Sequence, residues 1–159
     1  MARALDRFLR QHVIPFNYRV TLLCGDRARQ YEKGPLADYC LQNNIKQRFW
    51  ASNRHELNGV AERYNRTHAE GARALLVQAR LPLEYWQFAM ATIVHLRNRL
   101  PSGANPGYLS PWELLTLLLP DISKWRVWGC PAYVLVPNQK WPTRGRPMIF
   151  IGYPDNGPG

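Results

Sequence analysis

NGVAERYNRTHAEGARALLVQA, residues 58–79, is the stretch of the chain with the clearest helical pattern. Apolar residues recur around it at steps of three and four positions, the spacing that places them on one face of an α-helix; they are Leu57, Val60, Ala61, Tyr64, Gly71, Ala72 and Leu75. We predict an amphipathic helix from about Asn58 to Ala79. At about 100° per residue, Glu62 falls at the edge of the polar face, near Asn58, Arg66 and Arg73.

Shorter patterns precede this helix. Residues 3–13 place Leu5, Phe8 and Leu9 on one helical face, and Pro15 ends that segment. Residues 19–24 are rich in apolar and β-branched side chains and precede Gly25, which predicts a buried strand. A short helix is predicted over residues 36–42, with Pro35 near its first turn, and a second strand over residues 45–50.

The sequence after residue 80 is first helical and then strand-like. Pro82 suits the start of a helix over residues 83–99, which is apolar around most of its circumference and is therefore expected to be buried on more than one side. Ser110 and Pro111 predict the N-cap and first position of another short helix. Strand-like segments follow at 127–128, 132–136 and 148–153, and the change in composition predicts a domain boundary near residue 122.

Charge and composition indicate the class of partner. The chain has 159 residues, is 46% hydrophobic and carries a formal net charge of +10, with 17 Arg and 4 Lys. A packed core is therefore possible, and the excess of guanidinium groups favours a partner with phosphate groups, that is, nucleic acid. The charged N-terminal residues exclude a signal-peptide core, and the longest apolar run, 114–119, is too short to cross a bilayer. We expect an intracellular protein, nuclear or cytoplasmic, without a membrane partner.

Two carboxylates are candidates for metal-dependent chemistry. Asp26 follows a predicted strand, at the position where α/β folds bind ligands, and Glu62 lies on the predicted helix beside basic and amide side chains. Clustered carboxylate oxygens are the ligands that divalent cations need for phosphoryl transfer. Their spacing alone does not distinguish such a pair from a turn Asp and a solvated helix Glu.

Several motifs resemble copia-type retrotransposon integrases. Asn58-Gly-Val-Ala-Glu-Arg-Tyr-Asn-Arg-Thr67 is similar to the segment around the last catalytic Glu of that family, and Leu23-Cys-Gly-Asp26 is similar to the segment around its second catalytic Asp. The separation, 62 − 26 = 36, leaves 35 residues between the two carboxylates, as the family signature requires. Downstream, similar motifs occur at residues 98–101, 110–114, 127–130 and 149–153.

The resemblance implies a fold and a domain organisation. The fold class is α/β: a truncated ribonuclease H-like integrase core over residues 1–80, a helical extension over residues 81–122, and a small Src-homology-3-like β-barrel, itself truncated, over residues 123–159.

The resemblance also implies a site. Asp26 and Glu62 match the second and third catalytic carboxylates, which hold two Mg²⁺ ions in the family and promote in-line attack on a phosphodiester. Asn58, Arg63 and Arg66 match motif positions suited to binding DNA phosphates, and Arg73 extends the same basic face. The implied partners are transposon-end and target DNA; RNA is a further candidate, as is a second copy of the chain.

Departures from the family pattern limit the expected activity. The first catalytic Asp of the family has no match in residues 1–159, since Asp6 lies in a predicted helix. The family's glycine pair and Glu after Asp26 are replaced by Ala28, Arg29 and Gln30. We therefore expect an integrase segment that is inactive alone, with residues 1–56 marginally stable. Two alternatives are a non-catalytic, basic nucleic-acid-binding remnant and a decayed transposon without function.

Overall fold

A computed structural model describes residues 1–26, 33–50, 59–135 and 145–154. The chain divides into two compact units, Met1–Arg63 and Tyr64–Gly159, which are described separately. The domain limits and the ribonuclease H-like and barrel folds expected from the sequence stay predictions. In the described residues, no helix is both long enough and apolar enough to cross a membrane.

The first unit combines two helices with a pair of parallel strands. Its elements are α1 (Ala2–His12), a 3₁₀ turn (Ile14–Phe16), β1 (Leu22–Asp26), α2 (Pro35–Gln42) and β2 (Lys46–Trp50). In the parallel register Leu22 lies opposite Lys46 and Asp26 opposite Trp50. The predictions of both helices and of the second strand are confirmed. The first strand begins at Leu22, three residues later than predicted.

The core of the first unit lies between its helices and one face of this strand pair. Its buried members are Leu9, Val13, Leu36, Cys40 and Ile45, with Leu23 packed against them. Burial raises the pKa of the Cys40 thiol. The Tyr39 hydroxyl donates a 2.9 Å hydrogen bond to Asp6 Oδ1 and so joins α2 to α1.

The prediction that β1 is a buried strand is wrong. Leu22 is 39% exposed and Cys24 is exposed, whereas Leu23 between them is partly buried. Side chains alternate between the faces of a strand, and the core contacts only the face that carries Leu23. The opposite face carries Leu22 and Cys24 together with the exposed side chains of Lys46 and Arg48.

The second unit contains three helices and a pair of antiparallel strands. Helix α3 spans Gly59–Ala79, so its first residues belong to the first unit. It is followed by a 3₁₀ turn (Leu83–Tyr85), α4 (Trp86–Arg99), a 3₁₀ turn (Pro106–Tyr108), α5 (Pro111–Thr116), β3 (Pro131–Leu135) and β4 (Gly145–Ile149). Pro131 lies opposite Ile149 in the ribbon formed by β3 and β4. The three helix predictions are confirmed.

Helices α3 and α4 approach each other closely. Ala72 and Leu76 of α3 are buried with Ala89 of α4 and with Trp128. A Cβ atom placed on Gly71 would lie 3.0 Å from Ile93 Cδ1, so the Ile93 side chain would have to shift by a few tenths of an ångström to admit it. Small residues at the contact therefore allow the two helix backbones to come together.

Two expectations for this unit are wrong. Helix α4 is not buried on more than one side, because Trp86 and Phe88 are each 48% exposed. The segments 127–128 and 150–153 are not strands: backbone bonds join Gly129 and Cys130 to Phe150, but the paired strands occupy Pro131–Leu135 and Gly145–Ile149.

Helix α5 has the N-cap that its sequence predicts. The Ser110 Oγ accepts a 3.1 Å hydrogen bond from Glu113 N, and Ser110 N donates a 2.8 Å bond to Glu113 Oε2. These reciprocal bonds form a capping box. The hydrogen bonds from Ser110 to the Glu113 carboxylate lower its pKa.

Gly129 is a position where backbone conformation and close packing coincide. Its φ of +82° lies in the left-handed region, and a Cβ atom there would collide with Ala79 Cβ. Gly107 has a similar φ of +63°, but a Cβ atom there would only touch Leu109 Cγ at 3.9 Å. The two glycines therefore share a backbone conformation that a residue with a Cβ atom would adopt only with strain, and they differ in the room around them.

We expect Gly129→Ala to destabilise the second unit by roughly 1–3 kcal/mol more than Gly107→Ala, because only the first adds overpacking to the cost of a positive φ. Urea denaturation followed by tryptophan fluorescence measures both variants. Equal losses of unfolding free energy would show that the packing of Gly129 against Ala79 is not tight.

Candidate functional site

Asp26 lies at the carboxyl end of the parallel strands. It is the last residue of β1 and lies opposite Trp50, the last residue of β2. Parallel strands bring their carboxyl ends to the same edge, which is where α/β sheets bind ligands. The sequence predicted that Asp26 follows this strand, whereas the structure places its backbone at the last position of the strand; its side chain lies outside what the structure describes.

Glu62 lies in the first turn of α3 and is exposed. A carboxylate in the first turn is stabilised by the partial positive charge of the helix N-terminus. Within the described ranges Glu62 forms no ion pair, so its oxygens stay open to solvent. The same ranges contain no cluster of three or more His, Cys, Asp or Glu side chains suited to a metal ion. The approach of Asp26 to Glu62 and the binding of Mg²⁺ stay predictions.

The predicted nucleic-acid-binding arginines lie on the exposed part of α3. Arg63, Arg66 and Arg73 are all exposed, and Asn58 lies outside the described residues. Arg66 Nε is 3.9 Å from Glu70 Oε1, with 78% and 64% of the two side chains exposed. An ion pair this long and this exposed contributes little stability, so Arg66 remains available to an external phosphate.

Other arginines are engaged within the fold. The Arg99 guanidinium carbon lies 4.4 Å from the centre of the Trp112 ring, and Arg99 also donates a 3.2 Å bond to His95 O. Arg126 donates to the carbonyl oxygens of Ser123 and Trp125. Burial lowers the pKa of Arg99. The guanidinium groups of these two arginines therefore have partners within the second unit, whereas those of Arg63, Arg66 and Arg73 face solvent.

A pair of contacting rings lies among the exposed arginines of α3, and it was not predicted from the sequence. Tyr64 and His68 are one helical turn apart on α3, and their rings meet edge to face with centres 5.2 Å apart. Burial lowers the pKa of His68 below its usual 6.5, and the charge of Arg97 lowers it further. The four-residue spacing could have indicated the ring contact, but the influence of Arg97 depends on the packing of α3 with α4.

His68 should make the stability of the second unit depend on pH. Its depressed pKa means that the folded state binds fewer protons than the unfolded state, so stability is fully present above about pH 6.5 and falls as the pH decreases below that value. We expect the urea midpoint to fall more between pH 7.5 and 5.5 in the parent chain than in His68→Gln, which cannot bind the proton. Equal changes in both proteins would contradict this assignment.

Comparison with known proteins identifies relatives but no solved counterpart. The chain is 34% identical over 136 residues to the retrovirus-related Pol polyprotein from transposon TNT 1-94 of Nicotiana tabacum, covering 84% of the chain and 10% of that protein. It is 36% and 31% identical, each over 141 residues and 87% of the chain, to those from transposons RE1 and RE2 of Arabidopsis thaliana.

The matched segment spans 9% of the RE1 protein and 10% of the RE2 protein, so the chain covers about a tenth of the length of these relatives. No protein-family profile matches the chain, and no solved structure does.

Proposed function

The chain is homologous to one segment of the retrovirus-related Pol polyproteins of copia-type plant retrotransposons, and we propose that this segment is part of an integrase catalytic core. The observation that carries the proposal is the placement of the two motif carboxylates, Asp26 at the carboxyl end of β1 and Glu62 in the exposed first turn of α3. A strand end and a neighbouring helix are elements that can carry the carboxylate ligands of a metal-dependent nuclease or transferase.

The donor atoms fit a divalent cation in kind. Asp and Glu carboxylates are hard oxygen ligands, which Mg²⁺ prefers, and the exposure of Glu62 leaves room for the waters that Mg²⁺ retains. When bound, the metal would supply Lewis acidity at the reacting phosphate. Asp26 and Glu62 would hold it in place.

The basic side chains of α3 have a separate role in this proposal. Arg63 and Arg66 follow Glu62 by one residue and by one helical turn, so their guanidinium groups are suited to hold DNA phosphates near Glu62. Arg73 lies two further turns along the helix and would bind a phosphate farther along the same DNA. Glu70, which pairs with Arg66 at 3.9 Å, is itself 64% exposed, and an ion pair this exposed is weak enough for a phosphate to replace it.

Metal binding tests the pairing of the two carboxylates. In the 159-residue chain, Mn²⁺ should broaden the amide resonances around both residue 26 and residue 62, because a single ion would lie close to both. Glu62→Gln should abolish the broadening at both places, whereas Glu70→Gln, a matched change of an exposed acid on the same helix, should preserve it. Broadening confined to one place, or retained in Glu62→Gln, would contradict the shared site.

Catalysis tests a second part of the proposal. A third carboxylate is needed to hold two cations about 4 Å apart, and residues 1–159 offer no match to the family's first Asp. We therefore expect a polypeptide of these residues to show no strand transfer on labelled DNA ends with Mg²⁺ or Mn²⁺. Transfer that disappears in Glu62→Gln would show that two carboxylates suffice.

A non-catalytic function as a nucleic-acid-binding module is the second candidate. The exposure of Arg63, Arg66 and Arg73 favours it, because these side chains require no metal to bind phosphates. Binding would depend steeply on salt and little on sequence. The two candidates differ in the role of Glu62, which would bind the metal in the first but would oppose simple electrostatic binding of phosphates in the second.

A further inference from the structure

Three arginines of α1 form a row along the side of the helix away from the core. Arg3, Arg7 and Arg10 are separated by four and three residues, so they point within about 60° of one another around the helix axis. All three are exposed, whereas Leu9 and Val13 of the same segment are buried in the core of the first unit. We call these three side chains the α1 arginine row.

The positive charge of this row is only partly neutralised. Asp6 is the one acid of α1, and its Oδ1 accepts hydrogen bonds of 2.9 Å from both Arg10 Nε and the Tyr39 hydroxyl. Arg10 nevertheless keeps 74% of its side chain exposed. In the part of the chain that the structure describes, Arg3 and Arg7 form no ion pair. The row therefore presents two free guanidinium groups and a third bound on one side.

The dimensions of the row suit a phosphate chain. With a rise of about 1.5 Å per residue, Arg3 and Arg10 are about 10 Å apart along the helix axis, so the row can reach more than one phosphate of a strand. Guanidinium groups bind phosphate oxygens through paired hydrogen bonds. A lipid surface fits less well, because the apolar face of α1 that would enter it already contacts the core.

The neighbouring side of α1 carries an exposed aromatic ring. Phe8 is 51% exposed, and its ring contacts that of His12 with centres 5.6 Å apart. Adjacent residues of a helix differ by about 100°, so Phe8 lies about 100° from Arg7 around the axis, between the α1 arginine row and the buried face that carries Leu9. Single-stranded nucleic acids offer unpaired bases for such a ring, while a duplex keeps its bases stacked inside.

We propose that α1 is a binding site for single-stranded nucleic acid, in which the α1 arginine row holds consecutive phosphates and Phe8 stacks on a base. This site goes beyond the proposed integrase function, since none of its residues belongs to the Asp26 and Glu62 pair or to the basic face of α3. Binding of single-stranded nucleic acid at this site does not require a metal ion.

Charge-matched variants of the 159-residue chain test the phosphate contacts. Changing Arg3, Arg7 and Arg10 to Gln lowers the net charge from +10 to +7. The control, Arg80, Arg97 and Lys124 to Gln, lowers it equally at other exposed positions. Binding of a labelled 20-nucleotide single-stranded DNA and of the same sequence as RNA is measured against salt.

We expect the α1 variant to bind roughly tenfold more weakly than the control near 0.1 M salt, and its salt slope to be smaller by about 2, at about 0.7 per lost phosphate contact. The double variant Arg3→Gln, Arg7→Gln leaves the Asp6–Arg10 pair intact, and its change in salt slope should be about two thirds of that of the triple variant. Equal weakening of the α1 variant and the control would overturn the proposal, because it would show that only total charge matters. Loss of binding to anionic vesicles or to a poly-Glu peptide, with nucleic-acid binding unchanged, would assign the row to a lipid or a protein instead.

A separate substitution tests the stacking contact. Phe8→Leu should weaken binding of single strands about fivefold or more and leave duplex binding unchanged, because base stacking contributes only where bases are unpaired. Tyr18→Leu, which changes another half-exposed ring of the same unit, is the control. Unchanged binding in Phe8→Leu would refute the stacking contact. These measurements contain no metal, so their outcome is independent of whether Asp26 and Glu62 share a cation.

Discussion

The close approach of α3 and α4 is the contact on which the second unit depends. Gly71 on one helix meets Ile93 on the other, and Ala72 and Ala89 are almost fully buried between them. Trp128 lies 3% exposed against the same cluster, and Gly129 follows it where only glycine fits beside Ala79. A large side chain at any of these small positions would separate the helices and remove the surface on which Trp128 packs. The arginines of α3 are held in position by the second half of their own helix.

The sequence predicted the helices well because their signals are local. Steps of three and four residues located α1, α3 and α4, and Ser110 with Pro111 located the start of α5. The errors concern burial and strand limits, which depend on distant contacts. Trp86 and Phe88 are apolar but face solvent, and no feature of helix periodicity distinguishes them from Ala89 on the buried side. Strand pairing shifted in the same way: the ribbon includes Gly145 to Ile149, although the residues richest in strand formers continue to Tyr153.

The candidate site shows the same division. The positions of Asp26 at a strand end and of Glu62 on a helix followed from local pattern and from motif resemblance. The Tyr64–His68 contact and the effect of Arg97 on His68 did not, because the second of these joins residues almost thirty positions apart. The sequence likewise did not show which arginines are free to bind a phosphate. Only the folded chain reveals that Arg99 packs on the Trp112 ring, whereas Arg73 faces solvent.

The excess of positive charge makes a polyanion the expected partner of the exposed arginines. The chain has 21 basic and 11 acidic side chains, and the Arg10–Asp6 and Arg66–Glu70 ion pairs each join residues four positions apart on one helix. Pairs of this kind leave most of the positive charge uncompensated, which costs stability through repulsion at low salt. At physiological salt, repulsion between charges more than about 8 Å apart is largely screened, so the folded chain tolerates the excess. Phosphates bound at the exposed arginines would remove the remaining repulsion and release counterions, and binding would therefore stabilise the fold that presents them.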